Sequence, residues 1–208
     1  MQLFGSPGSG SAAVEMALRA AGLSYQLVRA SSWEPERDQA GLREANPLLQ
    51  IPTLVLDDGT VLSESAAILI HLALAYPAAA LLPADPSDRA LALRGLVFIA
   101  SNCYAAVSVS DHPERWTTSR AVTAREKVRE AARAQLHRHW EIFADLFDRP
   151  RLLSPRNPGA LAFLAVVVSQ WSGARAHLER ARPAFHQRLL QLERSRRLSA
   201  VLREHRGA

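Results

Sequence analysis

The chain has 208 residues, 48% apolar and 22% charged, with 25 Lys+Arg against 20 Asp+Glu and one cysteine, Cys103. That apolar content excludes disorder as a whole-chain description, and a lone cysteine excludes a disulfide framework. No run of about 18 uninterrupted apolar residues is present and residues 1–5 lack leader character, so neither a membrane span nor a signal peptide is expected and a cytoplasmic protein is the default.

In chain order, residues 1–4 are a short apolar start, and Gly5, Pro7, Gly8 and Gly10 form a turn rich in breakers. Residues 12–21 are rich in alanine and close on Gly22, which predicts a helix. Residues 25–28 are strand-like, and 36–44 are polar and partly helical. Residues 51–56 and 60–62 predict two strands around the tight turn Asp57-Asp58-Gly59. Ser63-Glu64-Ser65 then opens an apolar helix over 66–75. The order βαβαββα argues for a small mixed α/β unit.

Residues 77–86, with Pro77, Pro83 and Pro86, have the composition of a linker. Beyond it, residues 87–109, 117–146, 160–171 and 183–203 have the apolar spacing of helices and no strand signal. The expected division is 1–76 as an α/β domain, 77–86 as linker and 87–208 as an all-helical domain.

Charge is uneven along the chain. Residues 1–80 carry 4 basic and 8 acidic side chains, whereas residues 150–208 carry 11 and 3. A basic tail invites a nucleic-acid reading. The tail lacks interleaved aromatics and any binding motif, and 24 of the 25 basic residues are arginine, so no nucleic-acid partner is expected. The seven histidines give no ligand clustering beyond His137 and His139, so no metal is expected.

The stretch Asn46-Pro47-Leu48-Leu49-Gln50-Ile51-Pro52-Thr53-Leu54, followed by Asp57-Asp58-Gly59 and Leu62-Ser63-Glu64-Ser65-Ala66-Ala67-Ile68, closely resembles the glutathione transferases. The order of elements, the proline-rich linker and the helical second half agree with that family. The resemblance implies a thioredoxin-like first domain, and a cis peptide bond before Pro52. Such a bond is tolerable almost only before proline. It implies that Gln50, Ile51 and Pro52 receive glutathione, Ile51 through its backbone. Ser65, at an expected helix N-cap, would hold the γ-glutamyl carboxylate, and Glu64 the γ-glutamyl ammonium. Taken alone, Ser63-Glu64-Ser65 reads more simply as a plain cap and Pro52 as a strand end.

The family places a Tyr, Ser or Cys near the start of the first helix, where a donor lowers the thiol pKa of glutathione. The run Leu3-Phe4-Gly5-Ser6-Pro7-Gly8-Ser9-Gly10-Ser11 resembles the turn of the beta and delta classes. In that register the beta-class cysteine falls on Gly10, the delta-class serine on Ser9, and the first-strand tyrosines on Phe4 and Gly5. Ser9 is the first candidate thiolate donor and Ser11 the second, although Ser11 is also a natural N-cap. Tyr104 takes the place of a beta-class histidine at the electrophile pocket, and Trp116 is a second candidate there. Cys103 reads as core. The second-domain Ser/Thr-x-x-Asp capping box of the family is replaced by Gly159-Ala160-Leu161-Ala162.

The resemblance thus implies a detoxifying, homodimeric transferase that joins glutathione, a consumed co-substrate, to small apolar electrophiles. The alternative is a non-catalytic relative that keeps the fold as a binding or regulatory module.

Overall fold

The computed structural model describes residues 1–31 and 39–207. The expected helical segment at 36–44 therefore begins outside the described residues, and within them α2 covers Gln39–Ala45.

The first half holds a four-stranded sheet built from β1 (Gln2–Gly5), β2 (Gln26–Arg29), β3 (Thr53–Val55) and β4 (Val61–Ser63). The strand order is β2-β1-β3-β4, with β1 parallel to β2 and the remaining pairs antiparallel. Helix α1 (Ser11–Ala20) makes the crossover from β1 to β2, ending before Gly22 at φ +67°. Helix α3 (Ser65–Ala75) follows β4. This is a thioredoxin-like arrangement.

The second half is helical among the described residues: α4 (Pro86–Phe98), a π-helical turn (Ile99–Tyr104), α5 (Ala105–Asp111), α6 (Val122–Phe147), α7 (Ala160–Val168), α8 (Ala174–Ala181), α9 (Pro183–Glu193) and α10 (Arg196–Arg206). The sequence does not signal α8, and its single expected helix over 183–203 is two, because the chain breaks at Arg194-Ser195. The continuous helical run Pro86–Asp111 is long and apolar enough to cross a membrane by length and composition, a test that buried core helices also pass, and Asp88, Arg89 and Arg94 interrupt it. One face of it (Ala92, Leu96, Ile99, Cys103 and Ala106) is buried in the protein core against α6 and α7.

One apolar core runs through both halves. Its centre is α1, which packs against α3, α7 and α10, so residues 11–18 are all buried. Even Glu15 is buried, and a charge there needs partners. His205 Nε2 lies 2.7 Å from its carboxylate, and the Tyr25 hydroxyl donates to it at 3.0 Å. Helix α7 is apolar all round and wholly buried. Helix α6 supplies Trp140, Phe143 and Phe147, which pack as an aromatic cluster with Phe98 and Phe185.

Candidate functional site

Three irregular pieces of backbone meet at one cleft. The first is the loop before β3. Asn46, buried after α2, donates through Nδ2 to the Gln50 carbonyl at 3.1 Å and to Thr53 Oγ1 at 3.1 Å. Thr53 Oγ1 donates to the same carbonyl at 2.9 Å, and Asn46 Oδ1 accepts from the Leu48 amide at 3.1 Å. This network holds the chain through the cis Ile51-Pro52 bond. Asn46 and Thr53 were not singled out in sequence as site residues. An Asn set ahead of a Pro-containing strand start is the signal that could have marked them.

The second piece is the start of α3. The N-cap is Glu64, not Ser65 as the sequence reading expected, and no side chain caps the helix. Glu64 takes φ +65° and ψ +111°, so helical geometry begins one residue later, and Ser65 occupies the first helical position. A non-glycine residue held in that region costs on the order of 1–3 kcal/mol and is found where function requires it. The strain aims the Glu64 backbone at the cleft and leaves its side chain exposed.

The third piece is the π turn between α4 and α5. Its wider coil frees carbonyls that local side chains recover. Asn102 Nδ2 donates to the Phe98 carbonyl at 3.1 Å, and His139 Nδ1 lies 3.1 Å from the Asn102 carbonyl. The turn ends on Tyr104, whose hydroxyl stands 3.3 Å from Ser65 Oγ.

Together these pieces enclose a cavity of about 460 Å³. Gln50, Ile51, Pro52, Glu64 and Ser65 form one wall, and Ala100, Tyr104 and Val107 form the other. Ser108, Asp111, His112 and Arg115 stand at the outer end of α5. Five of the sequence candidates for glutathione thus share one cleft with Tyr104. Trp116 does not join it: it follows the short turn Pro113–Arg115, is 60% exposed, and lines neither cleft nor core.

Ser9 and Ser11 do not line that cavity, although Gly10 between them abuts Tyr104 and Ser65. The hydroxyls of Ser9 and Ser11 are 3.0 Å apart; Ser9 Oγ accepts from the Ser11 amide at 3.2 Å, and Ser11 Oγ donates to the Ser6 carbonyl at 3.4 Å. Ser9 borders a separate small cavity of about 40 Å³ with Trp171 and His205. The N-cap of α1 is Gly10, without a side-chain cap, so Ser11 is not the cap its position suggested. Behind the loop, a side chain at Gly5 would meet Ser11 Cβ at 2.5 Å, which leaves no room for a first-strand tyrosine.

Burial pushes the Cys103 thiol pKa up to about 12, so it stays protonated and unreactive in the core. Desolvation also pushes the Tyr104 phenol up to about 12, partly opposed by the hydrogen bond with Ser65.

Residues 11–75 match the family described as glutathione S-transferase, N-terminal domain. The chain is also 30% identical over 145 residues to glutathione S-transferase GstA of Escherichia coli O157:H7, covering 67% of this chain and 72% of that one. The chain belongs to the glutathione S-transferase family. An uncharacterised member-like protein, YncG of Escherichia coli K12, is 35% identical over 117 residues, a stretch that spans 57% of that relative. Among solved structures, a sphingomonad glutathione S-transferase in complex with glutathione aligns with a TM-score of 0.75 at 25% identity over the whole of both chains. A glutathione transferase homologue from Sulfitobacter, with bound glutathione, shares the fold with a TM-score of 0.81 at 23% identity, over 99% of this chain and 97% of that one. This fold likeness spans the helical half as well as the family-matched first half.

Proposed function

We propose that this transferase-family chain binds glutathione in the cleft and joins its sulfur to a small electrophile. The reading is carried by one observation: Gln50, Ile51 and cis Pro52 converge with Glu64 and Ser65 on a single cavity. An extended loop edge offers backbone pairing to the cysteinyl part of the ligand. The uncapped start of α3 favours an anion, so Ser65 and the helix N-terminus take the γ-glutamyl carboxylate. Glu64, exposed at the rim, takes the γ-glutamyl ammonium. The electrophile enters beside Tyr104 and the α5 wall. That wall mixes Ala100 and Val107 with Asp111, His112 and Arg115, so the acceptor carries a polar group as well as an apolar body. We further propose that the protein acts in the cytoplasm as a detoxifying homodimer and needs no metal.

Calorimetric titration of glutathione tests the binding half. A charge-assisted hydrogen bond is worth roughly 1.5–3 kcal/mol, and about 1.4 kcal/mol is ten-fold in affinity. Glu64→Gln and Ser65→Ala should therefore each weaken binding about ten-fold or more. Because Ser65 caps nothing, Ser65→Ala should leave the melting temperature close to the parent's. Parent-like affinity in Glu64→Gln would remove these residues from the ligand site. A second reading, a glutathione-binding module without turnover, is favoured by the mutual engagement of Ser9 and Ser11. Retention on immobilised glutathione without conjugation of a chlorinated nitrobenzene would select it.

A further inference from the structure

We propose that the group facing the glutathione sulfur is the phenol of Tyr104, supplied by the helical half of the chain, and that Gly10 is glycine to make room for it. The inference rests on the glutathione reading of the cleft.

The geometry around Gly10 carries it. A Cβ built there would lie 2.2 Å from Tyr104 Oη, 3.2 Å from Ser65 Oγ and 3.4 Å from Pro52 Cδ. One point is therefore shared by the start of α1, the start of α3, the cis proline and the phenol. Two helix N-termini meet there, and both favour negative charge. A thiolate held beside Pro52 would feel both, and the hydroxyl nearest the shared point at Gly10 is that of Tyr104. Ser9 and Ser11 bond to each other, and Ser9 borders the other cavity.

The phenol is also fixed in place. Trp171 packs edge-on against its ring at 5.4 Å between centroids. The same indole donates through Nε1 to the Gly8 carbonyl at 3.3 Å, tying the tyrosine to the loop that leads into α1. The π turn sets the phase that brings Tyr104 to this point. Its raised pKa keeps the phenol protonated, and so a hydrogen-bond donor, across the working range.

The chemistry needs no proton from the tyrosine. The glutathione S–H bond breaks and its proton leaves to solvent. The Tyr104 O–H stays intact and donates a hydrogen bond to the sulfur anion. A sulfur lone pair then forms the C–S bond, and the leaving group departs with its bonding electrons, as chloride from a chlorinated nitrobenzene. The phenol lowers the thiol pKa because it is bonded to the charged form.

The test is Tyr104→Phe, which keeps the ring packed on Trp171. The thiol pKa of bound glutathione is read from the ultraviolet absorbance of the thiolate against pH, a signal independent of turnover. It should rise by about one unit or more, and conjugation below that pKa should slow about ten-fold, while glutathione affinity changes less than about two-fold. Gly10→Ala is an independent route to the same phenotype, since the added methyl displaces the hydroxyl without touching the ring chemistry. An unchanged thiol pKa in folded, glutathione-binding Tyr104→Phe overturns the proposal, as does a shift produced by Ser9→Ala in its place. A parent protein that fails to take up glutathione at all overturns the reading of the cleft, and this assignment with it.

Discussion

Gly10 holds φ −62° and ψ −14°, a helical conformation that alanine adopts without strain, so the cost of a side chain there is steric alone. The obstacle is the Tyr104 hydroxyl. Overpacking of this kind costs about 1–3 kcal/mol, and Gly10→Ala should lower the melting temperature accordingly. In a Tyr104→Phe background the nearest obstruction is gone, so most of that cost should vanish. A coupling energy near zero in the double-mutant cycle would mean that the two residues do not share the space. The pairing also marks the limit of residue-level reading. Gln50, Ile51, Pro52, Glu64 and Ser65 lie close in sequence, and the resemblance of residues 46–68 to the glutathione transferases implies that they act together. Gly10 and Tyr104 come from different halves of the chain. Nothing local in either stretch encodes their contact, which arises only when α1 and the π turn pack onto a common core.

At the scale of elements, the start of α7 explains an apparent defect. Gly159 is its N-cap and offers no side chain to the free amides of a buried helix, which would be costly if nothing replaced it. The Leu81 carbonyl replaces it, accepting from the Ala160 amide at 2.8 Å. Arg197 fastens the same region, donating to the Ala79 carbonyl at 3.2 Å and the Pro158 carbonyl at 3.3 Å. The linker thus serves as the cap. A Cβ at Gly159 would come within 2.4 Å of the Leu81 oxygen. Gly159→Ser, a change that would ordinarily add only about 0.3 kcal/mol as a cap, should instead destabilise the fold by roughly 1–3 kcal/mol. Thermal unfolding decides the sign, and a rise in melting temperature would show that the linker yields. The sequence made the missing box visible but not its substitute, since a backbone carbonyl leaves no mark in composition. For the same reason α8 went unread: its polar Ala174–Ala181 stretch is short, and only Ala174 and Leu178 are buried. The strands and helices of the first half were legible because their apolar runs and turn residues agree at every step.

At the scale of the whole molecule, part of the positive charge of residues 150–208 is met by carboxylates within the helical half. Arg182 forks onto Asp145 at 2.8 and 2.9 Å and reaches Glu141 at 3.1 Å, while Arg188 pairs with Asp148, so arginines of the last helices meet carboxylates of α6 and its end. Arg175 and Arg206 share Glu193 at 2.8 and 2.9 Å. The outward faces of α3 and α4 are different, with Leu74 65% exposed and Val97 53% exposed, alongside the exposed small residues Ala67 and Ala90. Those two helices pack side by side, and each leads to the cleft: α3 begins at Ser65, and α4 runs into the turn that ends on Tyr104. A two-fold contact between copies along this face would bury the apolar stripe and brace both walls of the site. Light scattering at low micromolar concentration should then give twice the 22.8 kDa chain mass. Leu74→Arg combined with Val97→Arg places like charges on both sides of the axis and should halve that mass, with helix content retained. A parent that stays monomeric would leave the stripe without a partner copy and end the homodimer proposal. A parent dimer that survives both arginines would move the contact to another face.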